Sequence, residues 1–178
     1  MKVIKAKTAG FCFGVKRAVD TVYKQVDTKC GQIYTYGPII HNEEVIKDMR
    51  DKGVIVLRSE EDLDMISQGT VIIRSHGVEK RIYEKIEQKG LRIVDATCPF
   101  VKKIHNIVSE KSGEGFHIII IGNPEHPEVV GIKGWAKDNV TVIQSAEDAE
   151  CFTADRKEKI CIVSQTTFNY NTVSYTHL

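Results

Sequence analysis

The apolar residues of this chain follow two patterns that alternate along its length. Short continuous runs such as 117–121 are typical of strands that are buried on both faces of a parallel sheet. Stripes at helical spacing separate these runs, and the stripe over 15–26 leaves Lys16 and Arg17 on its outward face. The pattern predicts strands at 3–6, 33–36, 54–57, 71–73, 93–94, 117–121, 140–143 and 160–163.

A helical pattern follows nearly every predicted strand, and this alternation predicts an α/β fold built on parallel sheets. We expect two similar parallel α/β units around a shared site. The first unit spans residues 1–97 and includes the N-terminal strand and the loop that carries Cys12. The second spans 98–170 and repeats the scheme of strand, junction and helix, which places the boundary near Thr97. The tail 171–178 fits neither unit.

Composition and charge narrow the possible partners. Apolar residues make up 42% and charged residues 28% of the 178 positions, as in ordinary soluble domains. The net charge of +1 gives no reason to expect nucleic acid or an anionic membrane as partner. The first residues lack an apolar leader segment and no apolar run could span a bilayer, so we expect a cytoplasmic protein. Five cysteines without close pairing do not form a disulfide framework in that compartment.

Two cysteines lie where a loop leads into a helix. Cys98 follows a predicted strand and precedes Pro99, which suits the first turn of a helix. A thiol at a helix N-terminus faces unpaired backbone N–H groups, and its thiolate is favoured there. Cys12 lies between Gly10 and Gly14, where the backbone must approach something closely. The alternative for both is a small packed residue at a tight turn.

Other polar residues also follow strand ends, and in open α/β sheets ligands bind at the carboxyl ends of the strands. Each has a structural alternative, because a loop histidine is often a surface residue and hydroxyls often cap turns. The candidates at these junctions are His41, His76, His126, Glu128 and Thr166.

The chemistry of these side chains indicates a redox step on a small phosphorylated molecule. Two thiolates suit a soft metal or an iron–sulfur cluster, and histidines with a threonine suit phosphate oxygens. A carboxylate beside a histidine, as in Glu128 and His126, can deliver a proton. Two alternatives stay open: a zinc-dependent hydrolase using Cys12, Cys98 and a histidine, and an anion-binding module without catalysis. Neither the dinucleotide nor the P-loop glycine motif occurs.

The sequence also resembles the 4-hydroxy-3-methylbut-2-enyl diphosphate reductases of the LytB/IspH family, which act in the non-mevalonate isoprenoid pathway. Six stretches carry the resemblance, and they occur in the family's order over nearly the whole chain. They are AGFCFGVKRAV at 9–19, YGPIIHNEEV at 36–45, IRSHGV at 73–78, DATCPFVKKIH at 95–105, GNPEHPEVVGIKGW at 122–135 and SQTT at 164–167.

The resemblance implies a [4Fe–4S] cluster held by three cysteines, of which Cys12 and Cys98 are the first two. It implies that the substrate is an allylic diphosphate and that an electron donor such as ferredoxin or flavodoxin supplies two electrons. Glu128 corresponds to the proton donor, and His126 assists beside it. The residues implied to hold the diphosphate or line the pocket are His41, His76, His126 and Thr166.

The chain departs from the family pattern at its end. The family has three similar units, and the resemblance covers about two of them. The third cluster cysteine is expected in the absent unit, since Cys151 and Cys161 do not occupy the family's motif positions. We therefore expect a truncated chain that does not hold the cluster in its active form and has little or no reductase activity.

Overall fold

The computed structural model describes residues 2–4, 6–7, 9–28, 31–155 and 157–169. Strands and helices alternate along these residues. The strands are β1 Ile33–Tyr36, β2 Ile55–Leu57, β3 Thr70–Ile73, β4 Arg92–Asp95, β5 His117–Ile121, β6 Val140–Ile143 and β7 Ile160–Ser164. The helices are α1 Phe13–Thr28, α2 Glu43–Asp51, α3 Glu60–Asp64, α4 Lys80–Gln88, α5 Pro99–Gly113, α6 Pro127–Lys133 and α7 Ala146–Cys151.

The described strands form two parallel sheets, which confirms the prediction of two parallel α/β units. The first sheet has the order β2-β1-β3-β4 and the second has the order β6-β5-β7. Every pairing is parallel, so all carboxyl ends of a sheet lie at one edge. Loops that follow the strands therefore gather at that edge, where the candidate residues were expected.

Local sequence signals fix the ends of several helices. The Asn42 side chain accepts the Val45 N–H at 3.1 Å and so caps α2. Ser59 caps α3 in the same way, and Ser145 forms a capping box with α7. Gly90 follows α4 with a φ of +67°, a conformation in which glycine carries no Cβ penalty. The predicted bounds of the seven described strands agree with the structure to within one residue at each end.

The central strands are buried on both faces, as the continuous apolar runs predicted. β3 is buried at all four positions, and Ile72 packs under α1 while Val71 and Ile73 pack under α4. In the second sheet, Ile118 and Ile120 pack against Val108 of α5 and against α6. Full burial of one such side chain contributes about 1.5–3 kcal/mol relative to exposure. These three clusters, two on the faces of the first sheet and one on the second sheet, hold the strands in place.

The predicted N-terminal strand at 3–6 is wrong for the residues that can be described. Val3, Ile4 and Ala6 are not in a strand, and Val3 and Ile4 are 80% and 78% exposed. An extended segment needs a neighbouring strand to satisfy its backbone groups, and the four strands of the first sheet pair with each other. The described part of this segment pairs with neither edge of that sheet, and the pattern of apolar residues alone could not reveal this.

The boundary near Thr97 stays a prediction, although helix packing is compatible with it. α5 packs on β5, β7 and α6 of the second sheet. The tail 171–178 and Cys30 lie outside the described residues. Of the helices in the described ranges, none combines the length and the apolar character needed to cross a membrane.

Candidate functional site

Backbone hydrogen bonds tie together the segments that follow three strands of the first sheet. The N–H of Ser75, after β3, donates to the Ile39 carbonyl, after β1, at 3.2 Å. The Ser75 hydroxyl donates to the same carbonyl at 3.0 Å. The N–H of Cys98, after β4, donates to the Ser75 carbonyl at 2.9 Å. These bonds place His41, His76 and Cys98 on adjoining segments at one edge of the sheet.

Three histidines form a cluster that joins the two units. The ring centroids of His41 and His76 lie 4.8 Å apart, and His126 lies 5.4 Å from His76 and 6.3 Å from His41. One ring nitrogen from each lies within 4.8 Å of the others. His41 is exposed, whereas His76 and His126 are half-buried. The cluster confirms that side chains far apart in sequence converge on one place.

The close packing of the two units at this cluster depends on small residues. Gly131 of α6 lies against the backbone of 76–78, with its Cβ position 3.6 Å from the His76 carbonyl oxygen. The Trp135 indole donates to the Val78 carbonyl at 2.9 Å. Beneath the loop, a Cβ added to Gly77 would overlap the His105 ring. The His76 loop is therefore clamped between α5 and α6.

The hydrogen bond that His126 makes decides which ligands it suits. His126 is the N-cap of α6, and its Nδ1 accepts the Glu128 N–H at 3.1 Å. A neutral imidazole with Nδ1 as acceptor carries its proton on Nε2. Neither nitrogen then has a free lone pair for a metal, whereas the Nε2–H can donate to an anion. The cluster as it stands is thus better suited to an anion than to a three-histidine metal ion.

Electrostatic surroundings keep two of these histidines neutral. Burial, together with the neighbouring histidines and Arg74, lowers the pKa of His76 to about 4. Burial also lowers the pKa of His126, and His41 and Arg74 add to the effect. Arg74 donates through Nε to the Gly77 carbonyl at 3.2 Å. Its guanidinium supplies positive charge beside the cluster, so an anion would meet neutral N–H donors and one fixed cation.

A buried carboxylate lies in the first turn of the same helix. Glu128 is 1% exposed, and its two oxygens accept the Thr166 N–H at 2.6 Å and the Thr166 hydroxyl at 2.9 Å. Burial raises the pKa of Glu128, and the two hydrogen bonds from Thr166 oppose that rise. A carboxyl group with a raised pKa is suited to donate a proton near neutral pH.

The loop of Thr166 is held to the loop of His126 by a residue that the sequence analysis did not single out. The Gln165 side chain accepts the Asn123 N–H at 3.1 Å and donates to the Thr167 hydroxyl at 2.9 Å. Gln165 is only 7% exposed. It lies inside the SQTT stretch, and its position beside two hydroxyl residues was the available signal.

The two candidate cysteines fit a soft metal or a cluster. Cys98 is the N-cap of α5 but its sulfur makes no capping hydrogen bond, so the thiol is available to a ligand. A Cβ added to Gly14, in the first turn of α1, would lie 2.6 Å from the Cys98 Sγ. Cys12 is exposed just before that turn. The donor set is therefore two accessible sulfurs on touching segments, as thiolate-held groups require.

The other described cysteines lie away from this edge. Cys161 is in β7, where it pairs with Ile118 and packs against the second core, and burial raises its pKa. Cys151 is exposed at the end of α7. Neither was expected as a ligand, and neither lies at a carboxyl end of a strand.

Arg17 is placed differently from the prediction. Instead of facing solvent, it is half-buried, and its guanidinium donates to the carbonyls of Thr97 at 2.9 Å and Asp95 at 3.2 Å. Helical periodicity assigned it to the polar face, because periodicity does not show that a second segment packs against the edge of that face.

Comparisons with known proteins agree with this arrangement. The profile of the family described as LytB protein matches residues 3–177. A curated relative from Caldanaerobacter subterraneus subsp. tengcongensis, named 4-hydroxy-3-methylbut-2-enyl diphosphate reductase, is 48% identical over 168 residues. That match covers 94% of this chain and 58% of the relative. A relative of the same name from Alkaliphilus oremlandii is 45% identical and covers 100% of this chain and 62% of its own length.

Solved structures show the same likeness. The E-1-hydroxy-2-methyl-but-2-enyl-4-diphosphate reductase from Plasmodium falciparum matches with a TM-score of 0.88 and 31% identity, over 94% of this chain and 52% of that one. A structure of (E)-4-hydroxy-3-methyl-but-2-enyl diphosphate reductase, described as the terminal enzyme of the non-mevalonate pathway, matches with a TM-score of 0.80 and 38% identity. It covers 97% of this chain and 60% of that one. The chain thus spans about three fifths of the length of its curated relatives.

Proposed function

Because this chain belongs to the LytB family, we propose that it acts in the reductive dehydroxylation of 4-hydroxy-3-methylbut-2-enyl diphosphate. In this reaction the allylic C–O bond breaks, two electrons and two protons are taken up, and water leaves. The products are isopentenyl and dimethylallyl diphosphate. The site supports this proposal because it combines an anion-binding cluster, a buried acid and two accessible thiols at one edge.

The observation that carries the proposal is the hydrogen bond between the Glu128 N–H and His126 Nδ1. It leaves the His126 Nε2–H as a donor for a diphosphate oxygen, while His41 and His76 complete the cluster. Thr166 is exposed, and its hydrogen bonds to Glu128 hold it next to the first turn of α6. Arg74 offers the positive charge that neutral imidazoles lack.

Glu128 is the proposed proton donor for the leaving hydroxyl. Its burial raises its pKa and so favours the acid form, and Thr166 holds the carboxyl oriented through two hydrogen bonds. His126 caps the helix whose first turn carries Glu128, so the proposed acid and the proposed hydrogen-bond donor to the diphosphate lie on one helix turn.

Cys12 and Cys98 are the proposed ligands of a [4Fe–4S] cluster. When bound, the cluster would supply the electrons and an open iron for the substrate oxygen. The chain's own contribution is to present two sulfurs immediately before the first turns of α1 and α5, on segments that meet where Gly14 approaches Cys98. We place the reaction in the reducing cytoplasm, where thiols stay free, and we propose a ferredoxin or flavodoxin as electron donor.

Metal and sulfide analysis after anaerobic reconstitution tests this proposal. The Caldanaerobacter relative is the positive control, for which we expect iron and sulfide near 4:4. For this chain we expect little stable cluster and little turnover, since the described residues bring two cysteines to this edge. Zinc without sulfide in this chain would favour the hydrolase instead. Full loading and robust turnover by the 178 residues alone would show that Cys30, Cys151 or Cys161 is a ligand.

Binding of inorganic diphosphate separates the reductase from an anion-binding module without catalysis. Calorimetry should show that His76→Ala and His126→Ala weaken binding, with His117→Ala as a control because that ring hydrogen-bonds Thr141 and Glu158 elsewhere in the fold. Under the reductase proposal Cys98→Ser leaves diphosphate binding intact but removes the small amount of iron and sulfide that the parent chain retains after reconstitution. If the parent chain binds diphosphate but retains no more iron and sulfide than Cys98→Ser, the non-catalytic module is the better description.

A further inference from the structure

We propose that Arg17 is a positioning residue that holds the helix following Cys12 against the turn that carries Cys98. The proposal rests on the proposed function, because it takes these two cysteines as ligands of one metal group. It assigns a role to a side chain that makes no contact with the substrate site described above.

The contacts of Arg17 are with main chain rather than with an acid. Its Nη1 donates to the Thr97 carbonyl at 2.9 Å and its Nη2 donates to the Asp95 carbonyl at 3.2 Å. The Asp95 carboxylate is engaged elsewhere, because it accepts the Thr97 N–H at 2.9 Å and the Lys102 ammonium at 2.6 Å. Arg17 therefore binds the backbone of the segment immediately before Cys98.

The second contact between the same two segments lies one turn earlier in α1. Gly14 is three residues before Arg17, on the same helix face. It is buried, and its Cβ position lies 2.6 Å from the Cys98 Sγ and 3.2 Å from the Cys98 Cβ. α1 thus lies so close to the Cys98 thiol that only a residue without a side chain fits at position 14. The hydrogen bonds of Arg17, one turn later, hold the helix at this distance.

Cys12 is joined rigidly to this arrangement. Its carbonyl accepts the Lys16 N–H at 2.9 Å, so it already belongs to the hydrogen-bond pattern of α1. Any displacement of α1 therefore moves Cys12 relative to Cys98. A planar guanidinium can bridge two carbonyls at once, whereas a lysine ammonium is a single point of contact on a flexible stem. The fork geometry of arginine is what the two carbonyls require.

Chelation of Cd²⁺ under anaerobic conditions tests the role without substrate, reductant or assembled cluster. The full chain is used with Cys30, Cys151 and Cys161 replaced by alanine, so that bound Cd²⁺ reports on the remaining pair through thiolate charge-transfer absorption. Arg17→Met should weaken the affinity for Cd²⁺ by about 10- to 100-fold, as loss of an outer-shell partner typically does. Arg17→Lys should recover only part of the loss.

The matched control is Lys16→Met, which removes a neighbouring cation that pairs with Asp20 on the exposed surface. It should leave the affinity within about twofold, as expected for an exposed ion pair. Gly14→Ala should weaken chelation like Arg17→Met, because its Cβ displaces the Cys98 sulfur while the Arg17 contacts are kept. Circular dichroism of each variant verifies that the fold is retained.

Equal Cd²⁺ affinities for Arg17→Met and Lys16→Met would overturn the proposal. If Arg17→Met does not fold, Arg17→Lys and Gly14→Ala decide, and unchanged affinity in both would overturn it. Absence of two-thiolate chelation in the parent protein would contradict the pairing of Cys12 with Cys98, and with it both this proposal and the cluster. Failure of the reductase assay alone would leave the Arg17 result standing.

Discussion

Replacing Gly77 by alanine should damage both the stability of the chain and its anion site. Gly77 has a φ of +72°, a region that costs a residue with a Cβ roughly 1–2 kcal/mol. The added Cβ would also overlap the His105 ring and lie 3.1 Å from the Thr97 Cγ2. Overpacking of a filled interior costs typically about 1–3 kcal/mol. We therefore expect a total loss of about 2–5 kcal/mol in the free energy of unfolding.

His105 cannot yield easily to the new methyl group. It is 1% exposed, and it stacks on the Trp135 ring at 5.1 Å with an interplanar angle of 19°. The 76–78 loop must therefore shift to remove the overlap between the new methyl group and the ring, and this loop carries His76. Gly77→Ala should therefore weaken diphosphate binding even at urea concentrations where the chain is fully folded.

A matched control separates backbone strain from steric overlap. Gly90 has nearly the same φ, +67°, but nothing lies within 4 Å of its Cβ position. Gly90→Ala should lose only the conformational part, roughly 1–2 kcal/mol. The double variant Gly77→Ala/His105→Ala should be less destabilised than the sum of its single variants, because the overlap is removed together with the ring.

Urea denaturation measures these differences. Trp135 is the single tryptophan, so its fluorescence reports on the packing at this interface, and circular dichroism follows the helices in parallel. Equal losses for Gly77→Ala and Gly90→Ala, or strict additivity in the double variant, would refute the steric argument. Calorimetry with inorganic diphosphate then tests the effect on the site, and unchanged affinity would show that the loop position is not important for binding.

Three further predictions concern buried polar groups. Burial lowers the pKa of His105 from its ordinary 6.5 to about 4, so between these pH values the unfolded chain binds a proton that the folded chain does not. The free energy of unfolding should therefore fall as the pH drops from 6.5 to about 4. Urea titration at each pH should show a shallower fall in His105→Asn. Thr166→Val removes a hydrogen bond that lowers the pKa of Glu128, so that pKa should rise in a ¹³C-NMR titration, and a lower or unchanged value would contradict the assignment. Gln165→Met leaves the Asn123 N–H without its acceptor and should lower the free energy of unfolding by about 1–3 kcal/mol. The control Gln144→Met, at an exposed position, should change it by less than about 0.5 kcal/mol. Similar urea midpoints for the two variants would argue that Gln165 does not hold the two loops together.

The sequence predicted those features that depend on neighbouring residues of the chain, such as strands marked by continuous apolar runs. The continuous run at 117–121 became β5 with the predicted bounds, and the run at 33–36 became β1 in the same way. The rule that ligands bind at carboxyl ends of parallel strands also selected His41, His76 and His126, which lie together in the structure.

Features that depend on partners remote in sequence could not be predicted. Arg17 contacts carbonyls about 80 residues away, and periodicity assigned it to solvent. The segment 3–6 has strand-like residues, but its exposure shows that residue type does not supply a pairing partner. The tautomer of His126 follows from its contact with the Glu128 N–H, which only the geometry reveals.

Cys98 lies between the last strand of the first sheet and the helix that packs on the second sheet. This position has a consequence for the order in which parts of the site form during synthesis. A growing chain completes all four strands of the first sheet by Asp95, and both thiols have been synthesised three residues later. The third imidazole of the histidine cluster, His126, is added only after β5. Because N-terminal units tend to fold first during synthesis, the nascent chain can bring Cys12 and Cys98 together before the cluster of three histidines is complete.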